Sequence, residues 1–372
     1  MSVADLALQR NKYKHLSDDE WRWFLQQVEG RERTADKLPT FAAIDDWWYP
    51  VRLSCEQCSS EETARYKASL VESLEVRGER FVDLTGGYGV DTYFLSEQFA
   101  HTDYIEQNAE LCRIAAHNFA NKPITIHNTS AEEFLASAGQ YDLIFIDPAR
   151  RDSHGGKVFR LEDCTPNVIE LLPTLLAHGK RLMLKLSPML DLTQAVKELS
   201  QVSWDIYIVA LKNEVKEVLL LSGGTGKITA IDLAKKEQAF VFSREEEQNC
   251  PMVNGKCENG KYLYEPNAAI LKAGAYKLVG ARFGLQKLEV NTHLYCSNQL
   301  VENFPGRVWE IKSERVNVER MKGEQVNVIC RNYPLPPEAL KKKLHLRDGG
   351  TAFVIGCRVN GKPTLFFTER LS

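Results

Sequence analysis

The chain has 372 residues, a net charge of −3, 44% hydrophobic residues and 26% charged ones. That is long enough for two or three domains, and its composition is that of an ordinary soluble protein. The charge excludes a protein that coats polyanions over its whole surface but leaves room for a local basic face; the absence of any apolar run near 18 residues, and the polar opening segment, give no sign of a spanning helix or secretory leader. The nine cysteines are scattered and odd in number, which reads as reduced thiols in the cytoplasm. Cys55-x-x-Cys58 and the wider Cys250 and Cys257 pair lack matching zinc-site spacing, so no metal is expected.

Residues 1–76 read as a helical region. Ser17 with Glu20 forms a capping box ahead of Trp21, Trp23, Phe24, Leu25 and Val28 at helical spacing, a set that reads as core. Leu38-Pro39 and Tyr49-Pro50 interrupt the pattern. Ser59 with Glu62 then predicts a second capped helix running to about Val76. Ser59 and Ser60 are either a cap alone or a helix N-terminus presenting N–H groups to a ligand carboxylate, and the second reading is preferred because the segment directly precedes the next strand.

Residues 77–222 alternate short apolar strands with helical spans, the pattern of a doubly wound α/β sheet with a Rossmann-like plan. Phe81-Val82 ends in Asp83, and Thr85, Gly86, Gly87 and Gly89 make a turn against which a ligand can lie on bare backbone. Glu106 closes the next apolar run at the distance where a nucleotide site places a carboxylate for ribose hydroxyls. Ser130-Ala131 opens the helix after the third strand. The fourth strand, from Tyr141, ends in Asp147-Pro148-Ala149-Arg150-Arg151. Lys185 and Ser187 end the following strand and face either the pocket or solvent. Two closing strands, Asp205 to Leu211 and Glu217 to Leu221, flank Lys212-Asn213-Glu214 as an antiparallel hairpin.

Residues 223–322 read as a linker and an α+β segment that includes a helical run from Ala268 to Phe283, and residues 323–372 read as a small α+β tail. The tail predicts a helix from Glu338 to Leu346 and a hairpin turning at Asn360-Gly361. Lys341, Lys342 and Lys343, with His345 and Arg347, are a solvated face or a grip on phosphate.

The order of Asp83, Glu106 and Asp147 at successive strand ends resembles class I S-adenosylmethionine-dependent methyltransferases, and the glycine turn lacks the G-x-G-x-x-G of a pyrophosphate site. Gln57-Cys58-Ser59-Ser60-Glu61 resembles a Thr-Pro-Glu-x-x-Ala stretch of cap trimethylguanosine synthases. Together with Lys185-Leu186-Ser187-Pro188-Met189 and the tail, these motifs are similar to those of a bacterial family of class I methyltransferases with a ferredoxin-like segment and a C-terminal THUMP-like domain.

The resemblance implies that Ser59, Ser60, Asp83, Thr85, Gly86, Gly87, Gly89, Glu106, Gln107, Ser130 and Ala131 bind S-adenosylmethionine, with Ser130 standing where relatives often have an acid. Asp147-Pro148 resembles the Asp/Asn-Pro-Pro-aromatic motif of amino-methyltransferases, with Ala149 and Arg150 in place of the second proline and the aromatic. Asp147, Pro148 and Arg150 are thus the catalytic candidates, and Arg150, Arg151, Lys185 and Ser187 the substrate-binding ones. The arginine pair either meets a base or phosphate or forms a surface ion pair. RNA, tRNA or rRNA, is the implied partner, with no membrane and no obligate protein partner. A small-molecule or protein methyltransferase, and a donor-binding RNA-binding protein without catalysis, are the alternatives.

Overall fold

A computed structural model describes residues 3–150, 160–235, 239–253, 260–313 and 323–371. The chain forms two compact units, residues 1–205 with 216–225 and residues 206–215 with 226–372. In the first unit, strands β1 (Gly78–Asp83), β2 (Phe99–Glu106), β3 (Ile124–Asn128) and β4 (Tyr141–Ile146) are followed by two-residue strands β5 (Ala149–Arg150) and β6 (Cys164–Thr165), then by β7 (Gly179–Leu186). Across the boundary of the units come β8 (Trp204–Leu211) and β9 (Glu214–Ser222). The first unit's sheet runs β9-β7-β4-β1-β2-β3. Its pairs are parallel except that β9 runs against β7. The near-continuous apolar burial of β4 and β7 suits strands covered on both faces.

Strand order reverses between β1 and β4, because the chain steps outward to β2 and β3 before returning to β4. Carboxyl ends of strands flanking such a reversal frame the ligand crevice of an open parallel sheet. Here the two ends are tied together. Leu84 N donates to Phe145 O at 3.0 Å and Asp147 N donates to Thr85 Oγ1 at 2.7 Å.

The N-terminal segment shares this unit's core. The Ser17–Glu20 capping box starts the helix Asp18–Thr34 as expected, and Trp21 is buried. Phe41, Trp47 and Tyr49 pack in one cluster with Tyr88 and Phe94. Trp47 Nε1 donates to Tyr88 Oη at 2.9 Å, so the glycine turn is held from behind by residues far upstream. The following helix departs from expectation. It spans Glu61–Ser73 and its cap is Ser60, whose hydroxyl accepts from Thr63 N, which releases Ser59 for other contacts.

In the second unit, β10 (Lys227–Asp232) pairs parallel with β8, and β11 (Phe240–Ser243) antiparallel with β10. A further sheet comprises β12 (Tyr262–Pro266), β13 (Gln286–Glu289), β14 (Thr292–Ser297), β15 (Gly306–Ser313), β16 (Asn327–Arg331), β17 (Ala352–Val359) and β18 (Lys362–Arg370), in the order β13-β14-β12-β15-β18-β17-β16. The β17–β18 hairpin turns at Asn360 and Gly361, both left-handed at φ 49° and 77°, as an Asn-Gly turn requires. The expected helix Ala268 to Phe283 is two helices, Ala268–Ala273 and Tyr276–Phe283, because Gly274 terminates the first at φ 79°. The tail helix is likewise shorter, Pro337–Lys343, and left-handed His345 follows it. Among the described residues seven cysteines are free, whereas Cys296 is disulfide-bonded, a departure from the expectation of reduced thiols throughout.

Gly86 lies flat on the buried Tyr104 ring: an added Cβ would come within 2.1 Å of a ring carbon. Tyr104 cannot withdraw, because its hydroxyl donates to Gly87 O. Gly86→Ala should therefore lower the stability measured by urea denaturation by about 1–3 kcal/mol, the usual range for overpacking. An unchanged midpoint would contradict this packing.

Candidate active site

The turn after β1 joins a buried carboxyl to exposed backbone. Asp83 is 1% exposed; its Oδ2 accepts from Thr92 Oγ1 at 2.6 Å and its Oδ1 from Thr85 N at 2.9 Å. Gly87 has φ 56°, and an added Cβ there would meet only Thr85 O, at 3.7 Å. Gly89, at φ 81°, caps the helix Val90–Leu95 against the Phe119 ring. Opposite, Glu106 at the end of β2 takes the Gly87 N–H on Oε2 at 2.9 Å and the Asn108 N–H on Oε1 at 2.7 Å. Its carboxylate thus stands at the rim of the turn, bridging two strand ends. Gln107 is exposed, and its carbonyl accepts from Asn128 Nδ2 at 2.9 Å. Ser130 caps the helix Ala131–Leu135 through Glu133 N at 3.1 Å, with Ala131 buried beside it.

Asp147, at the end of β4, is the partly exposed end of a buried chain of charges. Lys185 Nζ, at the end of β7, lies 2.6 Å from Asp147 Oδ2, 3.0 Å from Ser59 Oγ and 3.5 Å from Asp91 Oδ2. Ser59 in turn donates to Asp91 Oδ2 at 2.7 Å. Behind Asp91 sits Lys67, wholly buried, 3.1 Å from Asp91 Oδ1 and within 2.6 and 2.7 Å of the two Glu217 oxygens. The Asp91 Oδ1 contact falls outside hydrogen-bond geometry, so it is electrostatic only. Lys185 therefore faces the site and not solvent, and Ser59 joins it there. Ser187 lies exposed beyond it, its hydroxyl accepting from Met189 N at 3.2 Å. Pro148 is half-buried; Arg150 is described by its backbone alone, paired with Cys164. Arg151 lies outside the described residues.

Each charge follows from its neighbours. Burial pushes the Lys185 ammonium down, but Asp147, Asp91 and Glu217 more than reverse this and hold it above its ordinary value. Burial pushes Asp91 up, and Lys67 and Lys185 overcome it, so Asp91 stays low. For Glu217 burial prevails over the pull of Lys67 and Lys185, and its carboxyl is raised. Asp83 is pushed up to about 7 by burial, against the hydrogen bonds from Thr92 and Thr85. Cys55 is also buried, with its thiol pushed up to about 12 by burial, and among the described residues no group of three or more His, Cys, Asp or Glu could hold a metal.

Asp91, Lys67 and Glu217 belong to this arrangement yet carry no motif. The signal available was a charge inside an apolar pattern. Lys67 shares its helix face with Ala64, Leu70 and Val71, and Glu217 opens a run of buried strand residues. In the tail, Lys341 is engaged by Glu338 and Asp348 at 2.7 and 2.6 Å and Arg347 donates to Gly323 O, while Lys342, Lys343, His345 and Arg347 are the exposed members of the basic cluster.

The strand order, the antiparallel β9 and a site at the reversal point define a class I methyltransferase fold. A family model of a ferredoxin-like domain matches residues 262–305, and one of a THUMP domain-like module matches residues 306–370. The chain is 32% identical to an inferred methyltransferase of known crystal structure from Porphyromonas gingivalis W83, with 96% of this chain and 92% of that one covered and a TM-score of 0.83. An uncharacterized S-adenosylmethionine-dependent methyltransferase of Mycobacterium tuberculosis is 23% identical over 350 residues, 91% of this chain and 92% of that protein. The tRNA (uracil(54)-C(5))-methyltransferase of Pyrococcus furiosus is 33% identical over 116 residues, which are 29% of this chain and 27% of that protein. The chain belongs to the family of S-adenosylmethionine-dependent methyltransferases with ferredoxin-like and THUMP-like C-terminal modules.

Two outcomes follow from the buried charges. Lys67→Met strands Glu217 and Asp91 without their shared cation, and should cost about 3–5 kcal/mol in urea denaturation. Lys67→Met/Glu217→Leu, which removes both partners, should recover at least half of that loss; a single variant as stable as wild type would refute the buried triad. The folded Asp83 carboxyl lies above its ordinary value of 3.8, so the folded chain keeps a proton that the unfolded chain releases. Its contribution is fully present below about pH 4 and is lost as pH rises through 7. Asp83→Asn, a mimic of the protonated acid, should thus raise Tm relative to wild type more at pH 8 than at pH 5. An equal shift at both would place the Asp83 pKa near its ordinary range.

Proposed function

We propose that the protein transfers methyl groups from S-adenosylmethionine to structured RNA, tRNA or rRNA. The observation that carries this reading is the convergence at one sheet reversal of the Asp83–Gly89 turn, Glu106 and the Asp147–Lys185 pair. The residues suit the donor. Gly87 offers open, uncovered backbone on which the donor can lie, and the Glu106 carboxylate stands beside it to accept from ribose hydroxyls. Ser59, Ser60, Thr85, Gln107, Ser130 and Ala131 complete the proposed donor set. S-adenosylmethionine supplies a methyl already activated on a sulfonium, so the protein's task is to position, orient and exclude water.

In that task Asp147 orients the acceptor. Lys185 holds its Oδ2, Thr85 holds its backbone N–H, and among the described residues Oδ1 has no partner. Oδ1 is thus available to accept a hydrogen bond from the group to be methylated. Pro148 stiffens the loop behind it, and Arg150 and Arg151 are assigned to base or phosphate. Support for RNA comes from the THUMP domain-like match and from the tRNA methyltransferase relative. We assign the work to residues 77–222, with 1–76 as a helical region, 223–322 as linker and ferredoxin-like segment, and 323–372 as the RNA-directed tail. No helix among the described residues is long and apolar enough to cross a membrane, and we place the protein in the cytoplasm with no obligate protein partner.

Calorimetric titration with S-adenosylmethionine and S-adenosylhomocysteine tests the donor site. Micromolar binding should weaken at least tenfold in Glu106→Ala. Asp147→Ala should retain donor binding and lose at least a hundredfold in methyl transfer to RNA isolated from a strain lacking the gene. Absence of binding to folded wild-type protein would overturn the cofactor. Donor binding without transfer to any such RNA would favour a different acceptor or a non-catalytic role.

A further inference from the structure

Asp91 sits in the first turn of the helix Val90–Leu95, behind Lys185, and has no part in the donor or acceptor contacts proposed above. Its two oxygens are divided between two cations. Oδ1 lies 3.1 Å from Lys67 Nζ, outside hydrogen-bond geometry. Oδ2 accepts the Ser59 hydroxyl proton at 2.7 Å and stands 3.5 Å from Lys185 Nζ. The better-bonded oxygen is thus the one turned toward the site. Lys67, meanwhile, already meets both Glu217 oxygens at 2.6 and 2.7 Å, so it has a counterion without Asp91.

Ser59 completes the link. A hydroxyl has one proton; that of Ser59 goes to Asp91, while its oxygen accepts from Lys185 at 3.0 Å. Because Ser60 caps the following helix, local structure does not require the Ser59 side chain. An ammonium has three protons, and Lys185 has three neighbours to hold it. It donates to Asp147 Oδ2 at 2.6 Å and to Ser59, and forms an ion pair with Asp91. A lysine that met Asp147 alone would form a loose pair, because both side chains would keep most of their rotamer freedom. The side chains of Asp91 and Lys185 are 9% and 13% exposed against 39% for Asp147, so the hold comes from the buried side.

We propose that Asp91 is a positioning residue for methyl transfer: through Ser59 and Lys185 it fixes the ammonium that occupies Asp147 Oδ2 and so leaves Oδ1 for the acceptor. This role presupposes the methyl transfer proposed above and adds to it a residue buried behind the site. The titratable groups facing Lys185 are Asp147 from the end of β4, Asp91 from its helix, Glu217 from β9 and the Cys58 thiol, with Lys67 behind Asp91. Burial pushes the Lys185 ammonium down, and the three acids more than reverse this. Without the Asp91 charge, burial counts for more and the ammonium releases its proton at a lower pH.

The test is Asp91→Asn, which keeps the side chain's size and an oxygen to accept from Ser59. Methyl transfer to RNA from a strain lacking the gene is measured at about pH 7 and about pH 9.5. At the lower pH kcat should fall about 10–100-fold, the cost of a misplaced orienting group. Circular dichroism and the calorimetric affinity for S-adenosylhomocysteine should stay as in wild type. At the higher pH the deficit should widen about threefold or more, as the loosened ammonium loses its proton. An unchanged kcat, a loss equal at both pH values, or a matching loss of S-adenosylhomocysteine affinity overturns the role. Wild-type protein that transfers to no such RNA contradicts the RNA reading instead, and the crystal structure of Asp91→Asn then decides. Asp147 in more than one conformation supports the role; Asp147 and Lys185 unmoved overturns it. Should Asp91→Asn fail to fold, Ser59→Ala, which keeps every charge and its own backbone N–H, should lose about tenfold in kcat with S-adenosylhomocysteine affinity kept; no loss overturns the role.

Discussion

Lys67 has no exposed side-chain surface and rests between Glu217 and Asp91, and this buried ammonium constrains everything built around it. An unpaired ion in such a place costs several kcal/mol, against a total stability of about 5–15 kcal/mol for a typical domain. The helix Glu61–Ser73, the helix after the glycine turn and strand β9 must therefore keep their relative positions for the first unit to fold. Asp91 passes the constraint to Lys185 and Ser59, and Lys185 passes it to Asp147. Asp147, the most exposed carboxylate of this network, is thus oriented by groups that solvent barely reaches. Low-dielectric surroundings strengthen each of these contacts and make any broken one expensive.

A second constraint acts from the N-terminal side. The glycine turn is thin, and Gly86 has room for nothing larger because Tyr104 fills the space beneath it. Tyr88, at the turn's far side, is buried in the same cluster as Phe41 and Trp47 and bonded to the Trp47 indole. The upstream helical region is accordingly part of the site's foundation. It fixes the turn's back while Glu106 fixes its front through the Gly87 N–H. Asp83 connects the two as a buried carboxyl whose hydrogen bonds to Thr92 and Thr85 shape the turn from within.

Features with a local physical cause were legible in the sequence. Glycines that permit a left-handed turn follow Asp83, and short apolar runs stop at Glu106 and just before Asp147-Pro148, so the positions of these acids at strand ends could be read directly, as could the Ser17–Glu20 cap and the Asn360-Gly361 hairpin. Features decided by distant partners were not. Ser59 looked like the cap because either serine satisfies the local pattern; tertiary contact with Asp91 and Lys185 draws Ser59 inward and leaves the cap to Ser60. Lys185 was ambiguous for the same reason, since a lysine at a strand end is ordinarily solvated and only the three acids behind and beside it hold it in. Lys67 and Glu217 lie 150 residues apart in sequence, too far for any spacing rule to pair them. The split of the expected helix at Gly274 shows the opposite lesson: a local glycine overrode an apolar periodicity that ran through it.

The central claim is that the sheet reversal between β1 and β4 holds the methyl donor, and a crystal structure of the protein with S-adenosylhomocysteine tests it most directly. The account predicts the ribose hydroxyls within hydrogen-bond distance of Glu106, the amino-acid end over the Gly86-Gly87 backbone toward Asp83, and Asp147 still held by Lys185. An ordered ligand elsewhere, with Glu106 bonded only to Gly87 and Asn108, would contradict it.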